Sequence, residues 1–294
     1  MKKLLVTGAS GFLGWNLCHY ARNNWNVYGT YFNHEVRIPD TNLYRTDLRD
    51  FAALESLFDL VNPNAVIHTT AASKPNFCQI HPEESYAVNV GAAVNIARLC
   101  GERRIPCAFT STDLVFDGQN APYVETDPVC PISYYGEHKA IAEQKMSEIY
   151  PAIALCRMPL MFGAPSPVSS SVLQGMISNL KAGKEINLFV DEFRTPASAR
   201  TASQGLLLAI EQRVGGILHL GGKERVSRYE FGLLLANLIQ LPTDSIEPGK
   251  QADVNMAAPR SPDTSLDSSK AFALGYQPLS LKEELISILR AKSS

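Results

Sequence analysis

Val6-Thr7-Gly8-Ala9-Ser10-Gly11-Phe12-Leu13-Gly14, directly after Leu4-Leu5, reads as a first β-strand turning sharply into a helix. Gly8 permits the tight turn, Gly11 lets a phosphate approach the backbone, and Gly14 lets the helix pack closely on the strand. The helix continues in the spacing of Leu13, Leu17, Tyr20 and Ala21. Unpaired N–H groups at a helix start favour an anion. A strand before the glycines and a helix after them make this a dinucleotide-binding turn, with Ser10, Phe12 and Leu13 completing the cofactor-facing loop.

The rest of the composition narrows the alternatives. With 294 residues the chain can bury a substantial core, and a net charge of −2 with 19% charged residues gives no electrostatic case for nucleic acid. Arg103-Arg104 is better explained as a solvated helix end. The apolar run after Met1-Lys2-Lys3 breaks at Thr7-Gly8, too early for a secretory signal, and no run approaches the ~18 apolar residues of a membrane span. Cysteines 18, 78, 100, 107, 130 and 156 are scattered without any C-x-x-C pair. They read as reduced thiols of a cytoplasmic protein, with no zinc site and no disulfide framework.

Further along, Trp25 to Tyr31 reads as a second strand. A carboxylate at its end would hold the ribose hydroxyls of NAD, whereas NADP needs that acid absent and a basic group nearby. The chain continues Phe32-Asn33-His34-Glu35-Val36-Arg37. That order favours NADP over NAD, with Asn33 at the strand end and Arg37 or His34 meeting the 2′-phosphate. A third strand at Asn42 to Thr46 leads to Asp47, placed to accept from the adenine amino group, and Leu48, placed to pack on the ring; Asp47 and Asp50 compete to cap the helix starting near Phe51. Asn64 to Ala72 is an apolar strand buried on both faces, whose small Ala71 and Ala72 leave room for the cofactor. Glu83 to Arg103 is helical, with Asn89 satisfying a loop carbonyl. Alternating strands and helices predict a doubly wound parallel sheet with its site at the strands' carboxyl ends.

A fifth strand, Ile105 to Thr112, runs out into Asp113-Leu114-Val115-Phe116-Asp117-Gly118, and Pro131 to Lys139 opens another helix. Tyr135 and Lys139, four apart, share one helical face, while Tyr134 points elsewhere. A phenol near pKa 10 shuttles protons at neutral pH only when its phenolate is stabilised, and a neighbouring ammonium does that. A hydroxyl at the strand end, Ser111 or Thr112, would bind the substrate carbonyl and its developing oxyanion.

Together the G-x-x-G-x-x-G turn, S-T-D-x-V-F-D-G at 111–118 and Y-G-E-x-K at 135–139 resemble the extended short-chain dehydrogenase/reductases. The resemblance implies that Thr112, three residues before Val115, is the catalytic hydroxyl and that Ser111 faces the other side. It also implies hydride transfer from nicotinamide to a carbonyl carbon, Tyr135 protonating the oxygen and Lys139 also holding the nicotinamide ribose. Related 4,6-dehydratases carry Thr-Asp-Glu where this chain has Thr112-Asp113-Leu114, so dehydration is disfavoured, and Asp113 is left to assist the substrate or to form a turn.

Ala152 to Arg157 reads as a sixth strand, and Arg157-Met158-Pro159 through Phe162-Gly163 resembles the segment bordering the nicotinamide, placing Met158 there. The character changes at Ala164. A Rossmann domain over 1–163 is therefore expected, with a smaller, mainly substrate-binding lobe over 164–294 from which some segments return. Helical patterns fall at Val172 to Ala182, Thr201 to Ile210, Arg228 to Leu241 and Leu281 to Leu289, with a short apolar run at Gly216 to Leu220.

Arg260, Pro262, Leu266-Asp267 and Leu274-Gly275-Tyr276 closely resemble the C-terminal lobe of dTDP-4-dehydrorhamnose reductases. In that family Arg260 would line the substrate pocket facing the nucleotide diphosphate; an ion pair with Asp263 or Asp267 is the competing reading. Leu114 departs from the usual Tyr. The chain is about equally similar to the regulatory β-subunit of methionine adenosyltransferase, through Asn23-Asn24-Trp25 and the V-F-D-G loop. The expected function is an NADP(H)-dependent reductase of a nucleotide-linked 4-keto-6-deoxy sugar. The alternatives are a cofactor-binding regulatory subunit and a sugar-nucleotide epimerase. No metal is called for, and a homodimer is compatible with the sequence.

Overall fold

The computed structural model describes residues 1–291; residues 292–294, the end of the expected 164–294 lobe, lie outside the described residues. A seven-stranded parallel sheet forms the centre. Its strands are β1 (Lys3–Thr7), β2 (Asn26–Tyr31), β3 (Thr41–Arg45), β4 (Ala65–His68), β5 (Cys107–Thr112), β6 (Ala154–Met158) and β7 (Gly216–His219). They lie in the order β7-β6-β5-β4-β1-β2-β3. The chain therefore reverses direction across the sheet between β1 and β4, which opens a crevice beyond their carboxyl ends. β4 and β5 are buried throughout, so both read as continuous apolar or small-residue runs.

Two cores flank the sheet. One joins Leu4, Val6, Leu13, Leu17 and Ile67 to Leu206 and Ile210, so the helix Ala199–Glu211 packs here together with Phe12–Ala21. The other joins Leu5, Leu54, Phe58, Ile96, Phe109 and Met146 on the opposite face. A third cluster, around Phe162, Leu173, Phe231, Leu235 and Leu285, holds a separate set of helices and short strands from the C-terminal half. Cys130 is exposed and the other cysteines are buried, all of them free thiols.

The opening turn is set by contact distances. Gly8 has φ +72°, and a Cβ on Gly14 would stand 2.2 Å from the Gly8 carbonyl oxygen. Gly14→Ala must therefore push the helix off β1, at an expected cost of about 1–3 kcal/mol. A denaturant midpoint equal to that of the parent would show that the helix has room to slide.

Some elements differ from the sequence expectation. β4 stops at His68, because the next residues leave the sheet: Thr69 Oγ1 donates to Thr7 O at 2.6 Å, and the Ala72 backbone pairs with the Asn89 amide. The helix read from Glu83 begins at Pro82 and passes through a π-helical turn, Ala87–Gly91, that carries Asn89; a short helix, Pro75–Ile80, had no periodic signature. Asp50, not Asp47, caps the helix Phe51–Val61, accepting from Ala53 N at 3.1 Å.

Candidate active site

A cavity of about 460 Å³ opens in the crevice. Gly8, Ser10, Gly11, Phe12, Leu13 and Gly14 line it from the turn, Asn33 and His34 from beyond β2, and Asp47 and Leu48 from beyond β3. Ala71, Met158, Tyr135 and Lys139 also line it, so residues far apart in sequence meet around one space.

Arg37 and Ala72 stand outside this lining. Val36 and Ile38 are buried beside Trp25 in the core, so the extended chain turns Arg37 out to solvent. Ala72 is held against Asn89, whose side chain accepts from its N–H at 2.8 Å and donates to its carbonyl at 3.1 Å. Arg49, which sequence reasoning missed, is in the lining where Arg37 is not. Its place two residues after Asp47 was the available signal.

Ser133 accepts from Gly136 N and caps the helix Tyr134–Ile149, which carries Tyr135 and Lys139 one turn apart. Lys139 Nζ lies 3.9 Å from the Phe109 ring centroid and makes no hydrogen bond among the described residues. Burial pushes its pKa down to about 7, opposed by the Glu143 carboxylate. Burial raises the Tyr135 phenol well above its ordinary value, helped by the Asp113 and Cys78 charges, while hydrogen bonding with Thr112 acts the other way. The expected lowering of Tyr135 by a neighbouring ammonium is thus overridden in the free protein, because desolvation disfavours the charged form of both partners.

Thr112 is turned towards the 113–115 turn and lies outside the cavity lining: its hydroxyl donates to Asp113 Oδ1 at 3.1 Å and accepts from Leu114 N at 3.2 Å. Asp113 also lies outside it. Its other oxygen accepts from Thr264 Oγ1 at 2.9 Å and faces Arg194 Nε at 3.4 Å, so the carboxylate ties the strand end to the C-terminal half instead of facing open space. Burial raises its pKa, against Arg194 and the two hydroxyls. Ser111 does not face away from the site as expected. It shares a face of β5 with Phe109, over which Lys139 lies, and it lines the cavity with a buried hydroxyl that has no partner among the described residues.

Arg260 lies outside the cavity lining too, and pairs with neither Asp263 nor Asp267. Its Nη2 donates to Asn76 Oδ1 at 3.0 Å, while Asp263 pairs with Arg225 and Asp267 accepts from Ser269 N. Its Nη1 is buried without a partner among the described residues, as is that of Arg228. Burial lowers the pKa of both guanidinium groups, with Glu192 opposing and Arg194 adding to the shift. A cationic group therefore gathers around Glu192.

The cavity fits a dinucleotide by the chemistry of its walls. The buried hydroxyls of Thr70 and Ser111 both line it and have no partner among the described residues, and above Gly11 a Cβ would meet only the Gly8 carbonyl, at 3.3 Å. His68, behind the site, is held neutral: burial drives its pKa down to about 3, with Lys139 contributing, and its Nδ1 lies 2.6 Å from Thr7 Oγ1. Among the described residues no cluster of His, Cys, Asp or Glu is arranged to hold a metal, and no helix is long and apolar enough to cross a membrane.

Comparison with known proteins agrees with this architecture. The family described as RmlD substrate binding domain matches residues 1–293. A probable low-salt glycan biosynthesis reductase of Haloferax volcanii is 30% identical over 293 residues, covering 98% of this chain and 97% of that protein. Methionine adenosyltransferase 2 subunit beta of Danio rerio is 28% identical over 281 residues, covering 93% of this chain and 85% of that one. Among solved structures, a dTDP-4-dehydrorhamnose reductase of Bacillus anthracis in complex with NADP superposes with a TM-score of 0.85 at 20% identity, covering 99% of each chain.

Proposed function

The chain belongs to the RmlD substrate binding domain family, and from that premise we propose that it is an NADP(H)-dependent reductase of a nucleotide-linked 4-keto-6-deoxy sugar. The observation that carries this reading is the meeting of Tyr135, Lys139 and Ser111 with the glycine turn around one cavity, and of Thr112 with Tyr135 at its edge.

The turn at Gly8–Gly14 would hold the pyrophosphate, Leu48 and Asp47 the adenine, and Lys139 the nicotinamide ribose. When bound, NADPH supplies the hydride that reduces the substrate carbonyl. Tyr135, kept protonated at neutral pH by its burial, gives its proton to the carbonyl oxygen, so that one C–H and one O–H bond form and an alcohol results. A protonated Lys139 then stabilises the phenolate left behind. Thr112 positions that oxygen once its hydroxyl turns from Asp113. The 164–294 lobe would take the sugar nucleotide, and the unpartnered Nη1 atoms of Arg228 and Arg260 suit an anionic diphosphate.

The similarity to methionine adenosyltransferase 2 subunit beta supports a second reading, a cofactor-binding subunit without turnover. Absorbance of reduced nicotinamide with a dTDP-4-keto-6-deoxy sugar present separates the possibilities. A reductase consumes NADPH in step with substrate. An epimerase converts substrate at constant absorbance, and a regulatory subunit changes neither; either result refutes the reductase.

A further inference from the structure

The end of the cavity away from Tyr135 is closed by Phe32, Asn33 and His34 on one side and Asp47 with Arg49 on the other. Four strand spacings separate β5 from β3, so this end lies roughly 19 Å from the catalytic one. Arg49 is the only arginine in the lining, and Lys139, the only lysine, belongs to the catalytic end. Glu35, whose carboxylate would favour free ribose hydroxyls, is exposed and is not part of the wall.

Arg49 is held in a defined orientation. Its Nε donates to both oxygens of Asp47, at 2.8 and 3.1 Å, and its Nη2 to Oδ2 at 2.7 Å. The guanidinium carbon lies 5.3 Å from the Phe32 ring centroid, within the range of a cation–π contact. The Asp47 carboxylate therefore occupies one edge of the fork. Nη1 makes no hydrogen bond among the described residues, and the side chain remains 41% exposed. A planar cation with a free donor edge is suited to a phosphate.

We propose that Arg49 reads the phosphate on the adenosine ribose, so that preference for NADPH over NADH rests on this guanidinium and not on Arg37 or His34. This assignment rests on the reading that a nicotinamide dinucleotide occupies the cavity. Asp47 is the positioning residue: its carboxylate balances the guanidinium charge on one edge and keeps the group beside Phe32 rather than in solvent, leaving the Nη1 edge as the free donor.

The test is equilibrium binding to the full chain, by calorimetry, of NADPH, NADH and 2′,5′-ADP, with 5′-AMP as the probe lacking the second phosphate. For the parent, NADPH is expected to bind more tightly than NADH, and 2′,5′-ADP more tightly than 5′-AMP. Arg49→Gln is expected to weaken NADPH and 2′,5′-ADP roughly 10- to 100-fold, the loss of a charge-assisted contact, while NADH and 5′-AMP change less than about 2-fold. Arg37→Gln leaves all four unchanged. Equal weakening of NADPH and NADH by Arg49→Gln would overturn the assignment, because the side chain would then serve the adenosine and not its phosphate; so would loss of selectivity in Arg37→Gln or His34→Gln. A parent that binds neither dinucleotide defeats the cofactor reading itself, a result distinguishable from both of these.

Discussion

Tyr135→Phe is expected to lower turnover by roughly 10²- to 10⁴-fold, the usual contribution of a placed proton donor, while NADPH affinity stays within about 2-fold. The ring is buried and the substitution preserves its volume, so packing against the strand end is retained. Only the hydroxyl is lost, and with it the proton that the reduced substrate must gain. Single-turnover loss of NADPH absorbance with a 4-keto sugar nucleotide, alongside a separate cofactor titration, reads the two effects independently. Turnover near the parental value would move the donor role to another group. Thr112 is a poor substitute in the ground state, since its hydrogen is directed to Asp113 Oδ1 at 3.1 Å. A matching loss of NADPH affinity would instead mean that the phenol holds the cofactor.

What the sequence discloses about this site is the part encoded at short range. The glycine turn and the Tyr135/Lys139 pair are local spacings on a strand end and a helix face, and both line the cavity. The parallel sheet is legible for the same reason, as alternating apolar strands and helical repeats. The misreadings involve tertiary packing. That Arg37 stands outside the cavity lining depends on Val36 and Ile38 burying beside Trp25, which no local pattern states. Asp113 reads as free to meet a substrate until Thr264, 151 positions away, is brought against it. The sign of the Tyr135 shift depends on how completely the helix is buried, and a four-residue spacing is silent about that.

The second large effect is expected from a buried ion pair further along the Tyr135 helix. Glu143, one turn beyond Lys139, faces Arg157 on β6, with Arg157 Nε at 3.1 and 3.3 Å from the carboxylate oxygens and Nη2 at 2.8 Å. The side chains are 6% and 2% exposed respectively. Arg157 also lies over the Phe116 ring, 4.9 Å from its centroid, and its Nη1 is 3.4 Å from His219 Nε2. His219 Nδ1 sits 3.2 Å from the carbonyl oxygens of both Tyr123 and Asp267, which only an N–H can satisfy; Nε2 is thereby the acceptor for Arg157. One guanidinium thus joins the Tyr135 helix, β6, β7 and the loop carrying Phe116.

Glu143→Ala leaves that cation buried and short of its counter-charge, at an expected cost of about 3–5 kcal/mol in unfolding free energy. Removing both charges, as Glu143→Met with Arg157→Met, is expected to recover most of the loss, because the penalty belongs to the unpaired charge and not to the absence of the pair. Chemical denaturation of the parent, Glu143→Met, Arg157→Met and the double variant forms the cycle, with Glu143→Ala measured beside it. The competing effect is water: Glu143 and Arg157 line an open cleft of about 850 Å³, a route by which water would reach a stranded guanidinium. A Glu143→Ala cost below about 1 kcal/mol would show that solvation wins, as it does for exposed pairs. The cleft would then reach deeper than the 2% exposure of Arg157 implies. A large cost that the double variant does not relieve would place the energy in the packing of Glu143 rather than in its charge.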